Sequence, residues 1–285
     1  HENNFFTKET ASSAPNEDKI FFLVPLRSST SAGASSGAQG LLDRGDITTG
    51  LLATDLLFVE MVEYCQRSGI DYLIADQEHG IHSDNLVARV CALGRMVDFP
   101  VLIRTIDTAY STIRRAIDRG PCGFLLPGIE SAADLDRVRD SIYLPPRGNR
   151  RPGGPGNYWA SDFKYDTWKE EVEDDFIVLP QIETRTGLDH AEEIASHEIT
   201  TAIAIGPYDL SADLGVCSEM DHPDMKAAVE VIRAAGEEAG KAMWRIGDGK
   251  SLAREGFHFL CIGEPMAMLK NEMARANKAA QDAKA

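Results

Sequence analysis

The chain has 285 residues, of which 43% are hydrophobic. This length and composition allow a large hydrophobic core, and we expect one large domain. Its 29 basic and 45 acidic residues give a formal net charge of −16, which disfavours nucleic acid and anionic membranes as partners. No apolar run approaches the roughly 18 residues that a membrane span requires, and the 5 cysteines lack C-x-x-C spacing, so we expect a soluble cytoplasmic protein without a disulfide framework or zinc site.

Residues 1–40 differ in composition from the rest of the chain. They include the low-complexity segment SSTSAGASSGAQG at residues 28–40, whose small and polar residues are typical of a flexible linker. The segment KIFFLVPL at residues 19–26 is rich in apolar residues and is also compatible with an added strand. We therefore predict a flexible N-terminal extension over residues 1–40, without a catalytic residue, followed by one catalytic domain over residues 41–285.

From Leu41 onward, short apolar segments alternate with amphipathic segments along the chain. Continuous apolar strands are typical of parallel sheets that are buried on both faces. Eight strand and helix units in about 245 residues favour a closed (β/α)8 TIM barrel, with an open doubly wound sheet as the alternative. The predicted strands are residues 46–53, 71–76, 99–104, 122–126, 176–183, 201–205, 241–246 and 258–262.

Two of the amphipathic segments predict long helices. Residues 55–69, DLLFVEMVEYCQRSG, repeat apolar side chains at intervals of three and four, and residues 222–240 do the same before ending on a glycine. A long polar segment at residues 145–168 separates the fourth strand from the fifth. Loops of this length usually act as lids or subunit contacts, and we expect one of these roles here.

Polar side chains follow several of the predicted strands. Active sites of such barrels lie at the C-terminal ends of the strands, so these residues should share one mouth. Glu183 and Asp209 follow adjacent strands, and two carboxylates are suitable ligands for Mg²⁺ or Mn²⁺. Taken singly, an acid at a strand end is more often a helix cap or an ion-pair partner. The residues are Asp76, Glu78 and His79 after the second strand, Arg104 after the third, Gln181 and Glu183 after the fifth, and Asp209 after the sixth.

Four segments in this order carry a resemblance to a known family. They are DYLIADQEHG, PVLIRT, VLPQIETRTGL and IAIGPYDLSADLG, at residues 71–80, 100–105, 178–188 and 203–215. The chain resembles the class II pyruvate aldolases of the 4-hydroxy-2-oxoheptanedioate and 2-dehydro-3-deoxyglucarate aldolase type, which are related to the citrate lyase beta chain. The resemblance runs from about residue 41 to the last helix, and it rests on the ordered set of motifs and their spacing.

The resemblance implies a metal-dependent carbon–carbon lyase. Such an enzyme reversibly cleaves a 4-hydroxy-2-oxo acid to pyruvate and an aldehyde through a metal-stabilised pyruvate enolate. It implies that Glu183 and Asp209 bind the divalent metal, which would be Mg²⁺, Mn²⁺ or Co²⁺. It also implies that Arg104 stabilises the charge on the keto oxygen, and that His79 is the general base. Asp76 matches the residue that orients this histidine through a hydrogen bond.

The resemblance further implies a set of substrate-binding residues and an assembly. Gln181 matches a residue near the pyruvate and metal, Glu78 either holds a metal-bound water or braces the site, and the backbone around Gly206 and Tyr208 would receive the pyruvate carboxylate. The family is typically a homohexamer, in which the residue matching Asp118 enters the neighbouring subunit's site. The alternative for Asp118 is an ordinary surface acid. The resemblance also suggests a role in the catabolism of aromatic compounds.

Several alternatives stay open on the sequence alone. A citrate or malyl-thioester lyase or condensing enzyme, or an oxaloacetate decarboxylase, would share the scaffold and the enolate. The segment GDGKS at residues 247–251 does not form a phosphate-binding loop, because Trp244 stands where that motif requires glycine. A non-catalytic interaction protein would have no use for this set of polar residues. Strand alternation allows only one of Trp244 and Arg245 to face the barrel interior, and the aldehyde substrate is undetermined.

Overall fold

The computed structural model describes residue 40 and residues 46–154 and 159–283 of the chain. The predicted extension over residues 1–40 therefore lies, apart from Gly40, outside the described residues, as does the possible added strand at residues 19–26. Within the described ranges, no helix is both long enough and apolar enough to cross a membrane.

Eight parallel strands form a closed barrel in sequence order, and the first strand pairs with the last to complete it. This confirms the predicted (β/α)8 TIM barrel and excludes the open doubly wound sheet. Each strand begins and ends within two residues of its predicted limits. The strands are β1 (Thr48–Ala53), β2 (Tyr72–Asp76), β3 (Val101–Arg104), β4 (Gly123–Leu126), β5 (Ile177–Ile182), β6 (Ala202–Ile205), β7 (Ala242–Ile246) and β8 (Phe259–Cys261).

Large side chains fill the interior of the barrel. The Tyr72 ring occupies the space beside Gly50, where an added Cβ atom would lie 2.2 Å from the ring. The Tyr72 hydroxyl donates a hydrogen bond to the Leu260 carbonyl at 2.8 Å and accepts one from Trp244 Nε1 at 2.9 Å. Trp244 therefore faces the interior, whereas Arg245 faces outward and its guanidinium lies 4.7 Å from the centre of the Phe257 ring.

Eleven α-helices connect or follow the strands in the described part of the chain. The predicted helix at residues 222–240 is observed at Pro223–Glu238, and Gly240 shortly after it has the left-handed conformation. The predicted helix at residues 55–69 begins only at Met61, because the preceding residues form the loop at the barrel mouth and bury Leu57 there. The helices are α1 (Met61–Arg67), α2 (Asp84–Met96), α3 (Tyr110–Ile117), α4 (Ala132–Ile142), α5 (Tyr165–Trp168), α6 (Arg185–Asp189), α7 (Ala191–Ser196), α8 (Pro207–Asp213), α9 (Pro223–Glu238), α10 (Gly249–Arg254) and α11 (Pro265–Asp282).

The described part of the long segment at residues 145–168 is anchored by aromatic and charged side chains. Trp168 is buried, and the Arg150 guanidinium lies 5.0 Å from the centre of its ring. The buried Glu173 carboxylate accepts hydrogen bonds from Trp168 Nε1 at 3.1 Å and from the Leu144 amide at 2.7 Å. These contacts hold the C-terminal end of the segment against the barrel.

The last helix, α11, differs from the others in its burial. Only Pro265 among its 18 residues is buried. Its apolar side chains Met266, Met268, Leu269 and Met273 are exposed by 39–62%. An amphipathic helix normally packs its apolar side against a core, so this side of α11 is available to a partner.

Candidate active site

A buried ion pair joins the ends of β2 and β3. Parallel pairing places Asp76 opposite Arg104 in the register of the two strands. Arg104 donates hydrogen bonds from Nε to Asp76 Oδ1 at 2.8 Å and from Nη2 to Asp76 Oδ2 at 2.5 Å. Burial opposes ionisation of Asp76, but the hydrogen bonds and positive charge of Arg104 outweigh it and lower the pKa of the carboxyl. Asp76 is therefore a carboxylate at neutral pH.

The remaining acceptor positions of Asp76 organise the loop that follows β2. Thr54 donates its hydroxyl hydrogen to Oδ2 at 2.8 Å. The backbone amides of Glu78 and His79 donate to Oδ1 at 3.0 and 3.4 Å. A carboxylate that accepts several backbone and side-chain hydrogen bonds fixes the local turn as well as its own charge. Asp76 thus determines how the chain presents Glu78 and His79 at the mouth.

The His79 ring lies open to solvent beside Glu78. Its side chain is 59% exposed, and Nε2 is 3.8 Å from Glu78 Oε2, which is longer than a hydrogen bond. The predicted hydrogen bond between the ring and Asp76 is not formed, which corrects that part of the sequence interpretation. The physical reason is that Arg104, Thr54 and two backbone amides occupy the oxygens of Asp76.

Glu78 is a partly buried acid beside the ion pair. Its Oε2 atom is buried and makes no hydrogen bond within the described residues, although it lies 3.3 Å from Arg104 Nε. Burial raises the pKa of Glu78, and repulsion from Asp76 and Asp209 adds to this, while Arg104 and His79 act in the opposite direction. The carboxyl is placed between a guanidinium and an imidazole.

Glu183 follows β5 and is almost fully buried at the mouth. Its Oε2 atom accepts a hydrogen bond from the Gly128 amide at 2.7 Å. Gly206 leaves room for the carboxyl, because a Cβ atom there would lie 2.2 Å from Glu183 Oε1. Burial, with repulsion from Glu78 and Asp209, raises the pKa of Glu183 to about 7, although the Gly128 hydrogen bond and Arg104 act to lower it.

Asp209 lies in the first turn of α8 and is exposed. Its charge raises the pKa of both Glu183 and Glu78, so the three carboxyl groups lie around one space. Within residues 46–154 and 159–283, no group of three or more His, Cys, Asp or Glu side chains has the arrangement of a metal site. The donor set at the mouth therefore consists of separate carboxylates whose mutual repulsion a divalent cation would relieve.

Gln181 lies on β5 and is buried. It stands two residues before Glu183, so the two side chains face the same side of the strand. Its side-chain Oε1 atom has no hydrogen-bond partner within the described residues. An unpaired buried acceptor next to the acids is available to a bound molecule. Tyr208 lies beside Asp209 in α8, and its side chain is exposed.

Asp118 is separated from the other predicted residues. It follows α3, which runs back from the mouth, so Asp118 lies toward the opposite end of the barrel. Its carboxyl faces the long segment, where a Cβ atom on Gly154 would lie 2.9 Å from Oδ1. Every other predicted residue lies at the mouth, namely Asp76, Glu78, His79, Arg104, Gln181, Glu183, Gly206, Tyr208 and Asp209.

Two residues of the mouth were not predicted from the sequence. Thr54 follows β1 directly, so its position at a strand end was the signal that could have identified it. Gly128 contributes only its backbone amide to Glu183. No side-chain pattern in a sequence identifies a residue of that kind.

The chain matches the family model described as HpcH/HpaI aldolase/citrate lyase over residues 57–268. It is 31% identical over 204 residues to the 2-keto-3-deoxy-L-rhamnonate aldolase of Shigella boydii serotype 4 (strain Sb227), covering 70% of this chain and 76% of that protein. The chain therefore belongs to the HpcH/HpaI aldolase/citrate lyase family. The predicted family resemblance and the prediction of an aldolase-type enzyme are both confirmed.

Two solved structures show the same fold. The HpcH/HpaI aldolase from Desulfitobacterium hafniense DCB-2 has a TM-score of 0.77 at 24% identity, covering 85% of this chain and 96% of that one. The citrate synthase SbnG has a TM-score of 0.74 at 18% identity, covering 87% of this chain and 98% of that one. At these identities the likeness concerns the scaffold alone, so the lyase and condensing alternatives share a fold with this chain.

The raised pKa of Glu183 predicts a pH dependence of stability in the metal-free protein. The carboxyl titrates near 4.5 when unfolded and at about 7 when folded. Between these values the folded state holds a proton that the unfolded state has lost. The free energy of unfolding should therefore fall by about 1.4 kcal/mol for each pH unit in this window as pH rises, and then level off.

Thermal unfolding at pH 5 and pH 8 in EDTA tests this dependence. Glu183→Gln cannot ionise, so its melting temperature should exceed that of the wild type by more at pH 8 than at pH 5. Glu63→Gln, an exposed residue of α1, is the matched control and should follow the wild type at both values. An equal difference at the two pH values for Glu183→Gln would contradict the prediction.

Proposed function

We propose that this chain catalyses the reversible cleavage of a 4-hydroxy-2-oxo acid into pyruvate and an aldehyde, with a divalent cation as cofactor. The observation that carries the proposal is the meeting of three carboxyl groups, one held guanidinium and one open imidazole at a single barrel mouth. The name of the Shigella boydii relative supports an oxo acid as the substrate class.

Glu183 and Asp209 are the residues proposed to hold the cation. Hard divalent cations favour carboxylate oxygens and keep several positions for water or substrate. Burial raises the pKa of Glu183, and the neighbouring acids Glu78 and Asp209 raise it further, which fits a carboxylate whose charge a cation would compensate. When bound, the cation would polarise the keto group of a 2-oxo acid, which makes the adjacent C3 protons more acidic.

Arg104 is proposed to stabilise negative charge on the keto oxygen. Its Nε and Nη2 atoms are held by Asp76, so the guanidinium is oriented before substrate arrives. Its third nitrogen, Nη1, makes no hydrogen bond within the described residues and is free to donate to substrate. Donors that are held in place lower the energy of a developing oxyanion most effectively, because they need not reorganise during the reaction.

His79 is proposed to move the proton between solvent and C3 of pyruvate. Its exposed ring can accept a proton from the substrate methyl group and release it to water. Glu78 would stabilise the protonated ring, since its Oε2 atom lies 3.8 Å from Nε2. The amides of Tyr208 and Asp209 in the first turn of α8 lack intrahelical acceptors and are proposed to bind the pyruvate carboxylate together with Gln181.

Hydrogen exchange of pyruvate tests the proposed base. In D₂O with a divalent metal, the enzyme should exchange the methyl protons of pyruvate without any aldehyde, which NMR follows directly. His79→Ala should slow the exchange by roughly 10²–10⁴-fold, the usual contribution of a positioned base. His258→Ala, an exposed histidine that precedes β8, should exchange at the wild-type rate. Exchange that survives the loss of His79 would assign the base to another group.

Metal removal tests the proposed cofactor. Exhaustive EDTA treatment should abolish the exchange, and Mg²⁺, Mn²⁺ or Co²⁺ should restore it. Glu183→Gln should weaken Mn²⁺ binding in a calorimetric titration by at least about 10-fold because one of the two carboxylate ligands is lost, whereas Glu63→Gln should bind as the wild type does. Undiminished exchange in metal-free enzyme, or a normal Mn²⁺ affinity of the Glu183→Gln variant, would argue against this cation site.

A homo-oligomer is proposed as the working assembly, and a hexamer in particular. The exposed apolar side chains of α11 support an interface with another copy. Asp118 lies at the end of α3 that points away from the mouth of its own chain, which is compatible with a role in a neighbouring site. We also propose a cytoplasmic location, supported by five cysteines that are all free thiols.

Light scattering on the purified protein tests the assembly. The expected mass is six times the 31.2 kDa of one chain. Leu269→Glu should shift the mass toward smaller species, because it places a charge among the apolar side chains of α11. Asn271→Glu adds the same charge on the same helix and should leave the mass unchanged. A monomer at concentrations that support activity would contradict the proposal.

A further inference from the structure

The end of β1 supports the loop that carries His79. We propose that Thr54 and His82 are positioning residues for His79, acting through two hydrogen bonds that we call the β1 clamp. One is donated by the Thr54 hydroxyl and the other is accepted by the Ala53 carbonyl. This inference rests on the proposed function, because it takes His79 as the group that moves the proton.

The first contact of the β1 clamp lies before His79 in the chain. Thr54 Oγ1 donates to Asp76 Oδ2 at 2.8 Å. The other oxygen of Asp76 accepts the backbone amides of Glu78 and His79 at 3.0 and 3.4 Å. Rotation of the Asp76 carboxyl would break these two hydrogen bonds from the backbone amides. Thr54 therefore acts with Arg104 to hold Asp76, and through Asp76 it holds the backbone of His79.

The second contact of the β1 clamp lies three residues after His79. His82 Nε2 is 3.0 Å from the Ala53 carbonyl oxygen. A carbonyl can only accept, so Nε2 carries the hydrogen and donates. The contact is made by the neutral ring and by the charged ring alike. It ties the far end of the loop to the last residue of β1.

Gly80 lies between the two contacts of the β1 clamp and passes directly over the strand ends. A Cβ atom there would lie 2.2 Å from the Asp76 carbonyl oxygen and 2.8 Å from the Thr54 carbonyl oxygen. Only glycine allows the chain this close to both backbones. The loop is therefore pressed onto β1 and β2 at the residue that follows His79.

The clamp matters because the His79 ring has no strong contact of its own. The ring is 59% exposed, and the nearest carboxylate oxygen, Glu78 Oε2, is 3.8 Å from Nε2. A side chain held so weakly takes its position from its backbone. A base that is displaced by about 1 Å loses a large factor in rate. The β1 clamp is thus the part of the structure that keeps the base in reach of substrate.

Paired substitutions test the clamp in the full-length, metal-loaded enzyme. Thr54→Val removes the hydroxyl at nearly constant shape, and Thr54→Ser retains it. His82→Leu removes the ring donor, whereas His82→Gln retains an amide donor in a similar place. The measurement is the rate of pyruvate methyl exchange in D₂O as a function of pyruvate concentration, with Mn²⁺ affinity and melting temperature recorded for each variant.

Thr54→Val and His82→Leu should each lower the maximal exchange rate by about 10- to 100-fold. Their pyruvate KM and Mn²⁺ affinity should stay close to the wild type, because Glu183 follows β5 and Asp209 lies in α8, and neither belongs to the β1 clamp. Thr54→Ser and His82→Gln should restore most of the rate. This pattern separates positioning of the base from a general loss of stability, which would lower the melting temperature without a selective loss of rate.

Three outcomes would overturn the inference or the function beneath it. Wild-type exchange rates in both donor-less variants would show that the clamp does not position His79. Equal losses in the donor-retaining variants would show that shape matters and the hydrogen bonds do not. Absence of exchange in the wild-type enzyme would instead overturn the proposed function. Thr54 also acts on Arg104 through Asp76. The His82 ring makes its hydrogen bond to Ala53 and not to that pair, so the His82 variants decide the matter if Thr54→Val fails to fold.

Discussion

The buried pair of Asp76 and Arg104 is the interaction on which the mouth of this barrel depends. Two charged groups that leave water lose several kcal/mol of hydration each, and they persist only when nearly every polar atom finds a partner. Here the carboxylate has donors from Arg104, Thr54 and two backbone amides. The same bonds that compensate burial also orient a guanidinium and shape the loop of His79. Stability and catalytic geometry therefore arise from one set of contacts.

The acids around this pair give the site an excess of negative charge. Burial raises the pKa of Glu183 to about 7, and repulsion from Glu78 and Asp209 adds to this effect. Arg104 is the cation that faces Glu78 and Glu183, and Asp76 already holds two of its nitrogens. Such a site favours the entry of positive charge, so the electrostatics of the fold and the chemistry of the family point to the same kind of cofactor.

Part of the site was predictable from the sequence and part of it was not. Strand ends were predictable because apolar runs mark buried parallel strands, and the residues after them fall at one mouth. The partner of the His79 ring was not predictable. Strand pairing places Asp76 opposite Arg104, and this tertiary neighbour engages the carboxylate that sequence proximity had assigned to the histidine. Thr54 and Gly128, which lie in the loops after β1 and β4, were not predicted, because a single hydroxyl and a backbone amide form no motif in the sequence.

The sequence by itself determined the barrel, the order of its eight strands, the family and the candidate residues, because hydrophobic periodicity and motif spacing are local properties of a chain. Only the tertiary structure decided which side chains meet. In the folded chain, Trp244 faces the barrel interior and Arg245 faces outward. Helix α1 begins at Met61, and the apolar side of α11 is exposed. Contacts between strands depend on register, closure and burial, and these arise when the whole chain packs.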